Sequence, residues 1–176
     1  MTRLLIPTIV LILLTTNGSG RVRAEDTAAK DNLAPLARFI GEWEVDGKWS
    51  DGSILRARST FAWGVNKKTI VDKTFVKDPS KGEYQRYEGT MAWNPKKKSL
   101  FEISFAYNGE MSEVLIEPVD KDTLHFGYLP YNEGEAQPVR QSIQFKGDDA
   151  FVWTVSLKGP DGWSNLIEAT WRRKAK

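Results

Sequence analysis

The sequence predicts one fold class: a single antiparallel up-and-down β-barrel of about ten strands, entered through a short N-terminal helix. Three observations predict it. From Gly41 onward, apolar and polar residues alternate with a period of two, in segments bounded by Gly, Pro, Asn and Asp. No long 3.6-residue pattern lies between these segments, which removes the crossover helices a parallel sheet needs. Ten strands laid out flat would leave two long edges open to aggregation, and closing the sheet on itself removes them.

The elements follow in chain order. Residues 25–32 are polar and read as a flexible lead-in. Over 33–40, Leu33, Leu36, Phe39 and Ile40 fall at helical spacing, with Asn32 available as a cap and Gly41 as the stop. A helix of two turns has no stability of its own, so it must plug or cap a core. Strands are predicted over 42–49, 54–64, 68–77, 83–93, 98–107, 110–117, 122–129, 138–146, 150–157 and 163–172. Asn108-Gly109 between two alternating runs is the strongest hairpin signal. Alternation puts Trp43, Val45, Gly47 and Trp49 on the inner face of the first strand, opposite Glu42, Glu44 and Asp46. It puts Phe101, Ile103, Phe105 and Tyr107 inside in the fifth, with Glu102 and Ser104 outside. A membrane barrel would carry the reverse pattern, apolar outward around a polar lumen.

Composition and charge narrow the function. Residues 1–24 read as a secretory signal peptide, with Arg3, the apolar run Leu4–Leu14 and a peptidase site after Val22-Arg23-Ala24. The apolar run is too short to span a bilayer, so no membrane span is expected once it is cleaved and the chain is expected to be secreted or periplasmic. The leader carries three arginines and no acid, so its removal takes the formal charge from +2 to −1. That argues against nucleic acid as a partner, since nucleic acid needs a basic face. The absence of Cys excludes disulfides and thiolate chemistry, and a single His leaves no metal site needing two imidazoles. No cofactor or metal is expected.

The stretch Phe39-Ile40-Gly41-Glu42-Trp43 resembles the opening of calycin barrels, in which a short helix leads into Gly-x-Trp. The partner feature is a basic residue at the end of the last strand, here Arg172 or Arg173, of which Arg172 is the choice. A guanidinium can lie flat on an indole and seal the barrel's end. Residues 33–174 as a whole resemble bacterial secreted lipocalin-like domains of unknown function, through the segments Leu36–Val45, Phe61–Gly64, Tyr87–Gly89, Met91–Pro95 and Thr170–Arg172. The resemblance implies a barrel with a ligand cavity and no defined reaction. A more distant likeness to nitrobindin-like haem barrels would require a late axial His, and the last three strands have none.

The candidate ligand-binding set is aromatic: Trp63, Tyr87, Trp93, Phe105, Tyr107, Phe126, Tyr128 and Trp153, all expected to converge on the interior. Such a lining suits a small hydrophobic or aromatic ligand with one or two polar atoms. His125 alternates with Leu124 and Phe126 and is expected outside. Asp72 lies in a strand apolar on both faces, which leaves its direction open. If it points inward it is a buried carboxylate in need of a partner. Two alternatives stand beside ligand binding. One is a cavity enzyme, an isomerase or hydrolase using Asp72 or a Tyr as acid/base. The other is an interaction protein using an outer apolar face around Leu100, Leu115 and Val152. No catalytic residue is assigned.

Overall fold

The computed structural model describes residues 32–128 and 138–175. The leader and the lead-in up to residue 31 lie outside them. One short helix, α1 (Ala34–Ala37), precedes ten strands: β1 (Gly41–Lys48), β2 (Ile54–Trp63), β3 (Thr69–Asp78), β4 (Gly82–Asn94), β5 (Ser99–Ala106), β6 (Met111–Pro118), β7 (Thr123–Tyr128), β8 (Val139–Phe145), β9 (Ala150–Gly159) and β10 (Gly162–Arg173). Each strand pairs antiparallel with its neighbours in sequence, and β1 pairs with β10, so the sheet is a closed barrel.

Turn chemistry sets the hairpins. After Asn108, Gly109 adopts φ +86°, and the Ala106 and Glu110 backbones close the β5–β6 loop. Pairing stays in register except at two places. One lies between Thr74 and Phe75 of β3, opposite a skipped Arg86 on β4, and the other between Asn165 and Ile167 of β10. The extra residue at Arg86 leaves both Tyr84 and Tyr87 facing in.

α1 lies across the end of the barrel where β1 begins. Pro35 opens it, but no side chain caps it, so the cap expected from Asn32 is not made. Its stability comes from burial: Leu33, Leu36 and Phe39 are almost fully enclosed. Phe39 meets Phe61, Phe126, Phe145 and Phe151 at ring-centroid distances of 5.0–6.2 Å. With Ile70, Leu100, Ile116 and Leu124 buried around it, this end is solid.

The seal is Trp43 against Arg173. The two are directly paired across β1 and β10. Trp43 is wholly buried and its indole N–H donates to the Phe39 carbonyl at 2.6 Å. The Arg173 guanidinium lies 4.2 Å from the indole centroid. It donates to the carbonyls of Ile40 (2.6 Å), Arg38 (2.9 Å) and Asp148 (2.9 Å). A Cβ at Gly41, whose φ is +132°, would collide with this guanidinium. The expectation of Arg172 is therefore corrected by one residue. Trp171 is buried on the inner face, strand alternation returns to that face at Arg173, and Arg172 is exposed.

Arg173→Ala removes three charge-assisted bonds and the stacked cation, so it is expected to lower unfolding free energy by about 2–3 kcal/mol. Arg172→Ala should change it by no more than about 0.5 kcal/mol. Urea denaturation of the two variants checks this, and equal losses would contradict the assignment.

Candidate functional site

Because the Trp43 end is filled, the interior space lies toward the other end, under the β1–β2, β3–β4 and β5–β6 turns. It is a cavity of about 700 Å³. That is room for a small organic molecule. Of the eight aromatics expected inside, four line it: Tyr87, Phe126, Tyr128 and Trp153. The Trp153 indole N–H donates to Gln141 Oε1 at 2.7 Å, so that polar tip is already occupied.

The other four do not line it. Trp63 and Trp93 are half-buried and pack against the core. They belong to the filled end, where Trp63 pairs with Ile70 and Trp93 with Leu100. Phe105 and Tyr107 are outside, 50% and 59% exposed. The whole of β5 is turned over relative to expectation. The turn after Asn94 pairs Asn94 with Ser99 and Trp93 with Leu100. Directly paired residues share a face, so the inward set is Leu100, Glu102, Ser104 and Ala106. Leu100 is accordingly buried rather than part of an outer patch, while Leu115 is 45% exposed and Val152 half-buried. His125 is half-buried on the outer side, paired with Ser142 and Glu117. Burial and then the Arg140 charge hold its pKa below the usual imidazole value.

The β5 inversion brings in a residue that sequence alternation missed. Glu102 enters the cavity, where it meets Asp72. In β3 the inward set is Ile70, Asp72, Thr74 and Val76, and Asp72 is paired with Gly89 across β3–β4. Gly89 is paired in turn with Ser104 across β4–β5. A Cβ on Gly89 would strike both Asp72 Oδ1 and Glu102 Oε1, so the bare glycine is what lets the two carboxyl groups converge. Asp72 is 6% exposed and Glu102 9%. Asp72 Oδ1 has no hydrogen-bond partner.

Burial dominates their acid–base behaviour. It pushes Asp72 up to about 7, with the Glu88 charge on the neighbouring strand adding to the rise. It pushes Glu102 up to about 8, reinforced by Asp72, while the Ser104 hydroxyl acts in the opposite direction. Their protons come off as those of a pair. From β2 the neighbour of Asp72 is Phe61, which brings no charge. Lys73 ion-pairs with Glu88 at 3.4 Å. None of the ion pairs between described residues includes Asp72 or Glu102. Burial likewise raises the Tyr128 hydroxyl to about 12, so it is a neutral hydrogen-bonding group. A carboxyl pair protonated near neutral pH can donate or accept a proton or a hydrogen bond. Among the described residues no group of three or more His, Asp or Glu side chains is placed to hold a metal ion.

No protein-family model and no curated protein matches the sequence. Solved structures do match its fold. Rv2717c from M. tuberculosis aligns at 12% identity over 82% of this chain and 98% of its own, with a TM-score of 0.54. An S-type phycobiliprotein lyase from Guillardia theta aligns at 10% identity over 80% of this chain and 92% of its own, with a TM-score of 0.49. A redesigned β-barrel, mFAP1, bound to DFHBI, aligns at 14% identity over 79% and 98%, with a TM-score of 0.40. The likeness to the M. tuberculosis protein is one of fold. That protein shares with this chain a fold whose topology here is the closed ten-strand antiparallel barrel.

The raised pair makes stability fall as pH rises. Above the ordinary carboxylate range, about pH 4, the unfolded chain has lost both protons. The folded chain keeps them until about pH 7–8. Between those limits the folded state binds more protons, so unfolding free energy declines with pH. The Tm is expected to drop from pH 5 to 8.5, and Asp72→Asn should flatten that drop and be the more stable protein at the alkaline end. A Tm that rises with pH over this range would contradict the burial of the pair.

Proposed function

We propose that this chain is a binding barrel that takes a small, largely hydrophobic or aromatic ligand into its open-end cavity. The observation that carries the reading is the cavity itself: about 700 Å³, walled by aromatic rings, above a solid apolar plug. A barrel built only for stability would fill its interior with side chains, as this one does at the Trp43 end. We further propose that it works outside the cytoplasm after removal of residues 1–24, on the strength of the short apolar run behind Arg3.

A second reading has an observation in its favour. Asp72 and Glu102 could serve as general acid and base on a bound molecule, which makes a cavity isomerase or hydrolase the alternative. Turnover would then depend on the pair, whereas binding of an apolar probe would not.

Fluorescence titration with N-phenyl-naphthylamine, a neutral aromatic dye, tests the primary reading. Saturable one-to-one binding in the micromolar range is expected. Ala57→Phe, which pushes a ring into the cavity from β2, should weaken it at least about tenfold while the protein stays folded. Dye binding that is absent, or that Ala57→Phe leaves unchanged, would overturn the reading.

A further inference from the structure

The cavity has a chemical asymmetry that an apolar ligand alone does not explain. Its walls are mostly rings and aliphatic groups, yet two acidic side chains meet over Gly89 deep inside it. Both are more than nine-tenths buried, and Asp72 Oδ1, packed over Gly89, has no hydrogen-bond partner. An orphaned acceptor there carries its full desolvation cost, and a second carboxyl beside it makes ionisation of both costlier still. Among the described residues no cation forms an ion pair with either of them. The nearby cation on β3, Lys73, is on the outer face with Glu88. Arg86, at the cavity's rim, has its guanidinium 4.3 Å from the Tyr107 ring and 5.3 Å from the Tyr87 ring, with Tyr107 on the outside. One orphaned acceptor, a second carboxyl whose donor is the Ser104 hydroxyl, and no counter-charge on either define what is missing: a group with several N–H donors and a positive charge.

We infer that the cavity selects ligands that carry a protonated amine on an aromatic or apolar body, the ammonium held between Asp72 and Glu102 and the body against Phe126 and Trp153. This deepens the binding-barrel reading and rests on it. An ammonium supplies three donors in a small volume, which suits two carboxyl oxygens brought together over a glycine. The aromatic walls add attraction for a cation at a ring face. A hard metal cation would require more oxygen ligands than the two carboxyl groups offer. The ligand enters with its charge, and the carboxyl pair gives up a proton to the solvent as the ammonium docks.

The test compares three probes of one shape: naphthylmethylamine, naphthylmethanol and naphthoate, titrated by calorimetry at neutral pH against the folded protein. The amine is expected to bind at least about tenfold tighter than the alcohol, as a charge-assisted contact warrants, and the acid weakest. In Asp72→Asn/Glu102→Gln, which keeps shape and removes charge, the amine-to-alcohol ratio is expected to fall to near one. Should that double variant fail to fold, Asp72→Asn alone must reduce the ratio. Equal or tighter binding of the alcohol in the wild type overturns this inference and leaves the binding barrel standing. So does an amine preference that survives the substitutions. If none of the three probes binds and N-phenyl-naphthylamine does not either, the binding barrel itself is wrong and the inference goes with it.

Discussion

The structure depends on where its first and last strands meet. A sheet of ten antiparallel strands encloses nothing unless β1 finds β10, and the pairing of Trp43 with Arg173 is that meeting point. The guanidinium lies on the indole and bonds to carbonyls just before β1 and in the β8–β9 turn. One side chain thus ties the helix, the first strand, the last strand and a turn together. Breaking it would expose two strand edges and the base of the core at once.

Closure has a consequence for chemistry. α1 and its phenylalanine cluster fill the end beside Trp43, so unfilled volume is confined to the other end. Only inside a closed wall can Asp72 and Glu102 be stripped of water. In an open sheet the same two residues would be ordinary surface carboxylates near pH 4. Their raised affinity for protons is therefore a product of the fold rather than of local sequence, and the function proposed for the cavity inherits it. Gly89 is the local device: it gives up a side chain so that two acids can share one place.

Much of this was legible in the sequence. Every strand lies within two residues of its expected bounds at each end, because period-two alternation and Gly, Pro, Asn and Asp breakers are strong local signals. The inner face of β1, with Trp43 and Val45, also read correctly. The misreadings have a common physical source. Alternation tells which residues share a face but not which face is inside, and the rule that apolar residues point inward fails where the interior is polar. In β5 the residues lining the cavity are partly polar, so Glu102 and Ser104 face in while Phe105 faces out. The signal that could have found this was the length of the turn after Asn94, which pairs Trp93 with Leu100. For β3, apolar on both faces, only pairing to β2 and β4 could decide that Asp72 points in. Trp63 and Trp93 illustrate a different limit: they point toward the core, but height along the barrel axis decides between plug and cavity, and that comes from register across all ten strands.

Barrel closure makes an interior dry enough to raise the proton affinity of both buried carboxylic acids toward neutral pH. Carbon-detected NMR of the Asp72 and Glu102 carboxyl groups, followed through a pH titration, measures it directly. Midpoints for the pair near 7 and 8, assigned by loss of the signals in Asp72→Asn and Glu102→Gln, are the predicted result. Two midpoints near 4, the ordinary value for a hydrated carboxylate, would mean that the barrel interior does not exclude water from the pair.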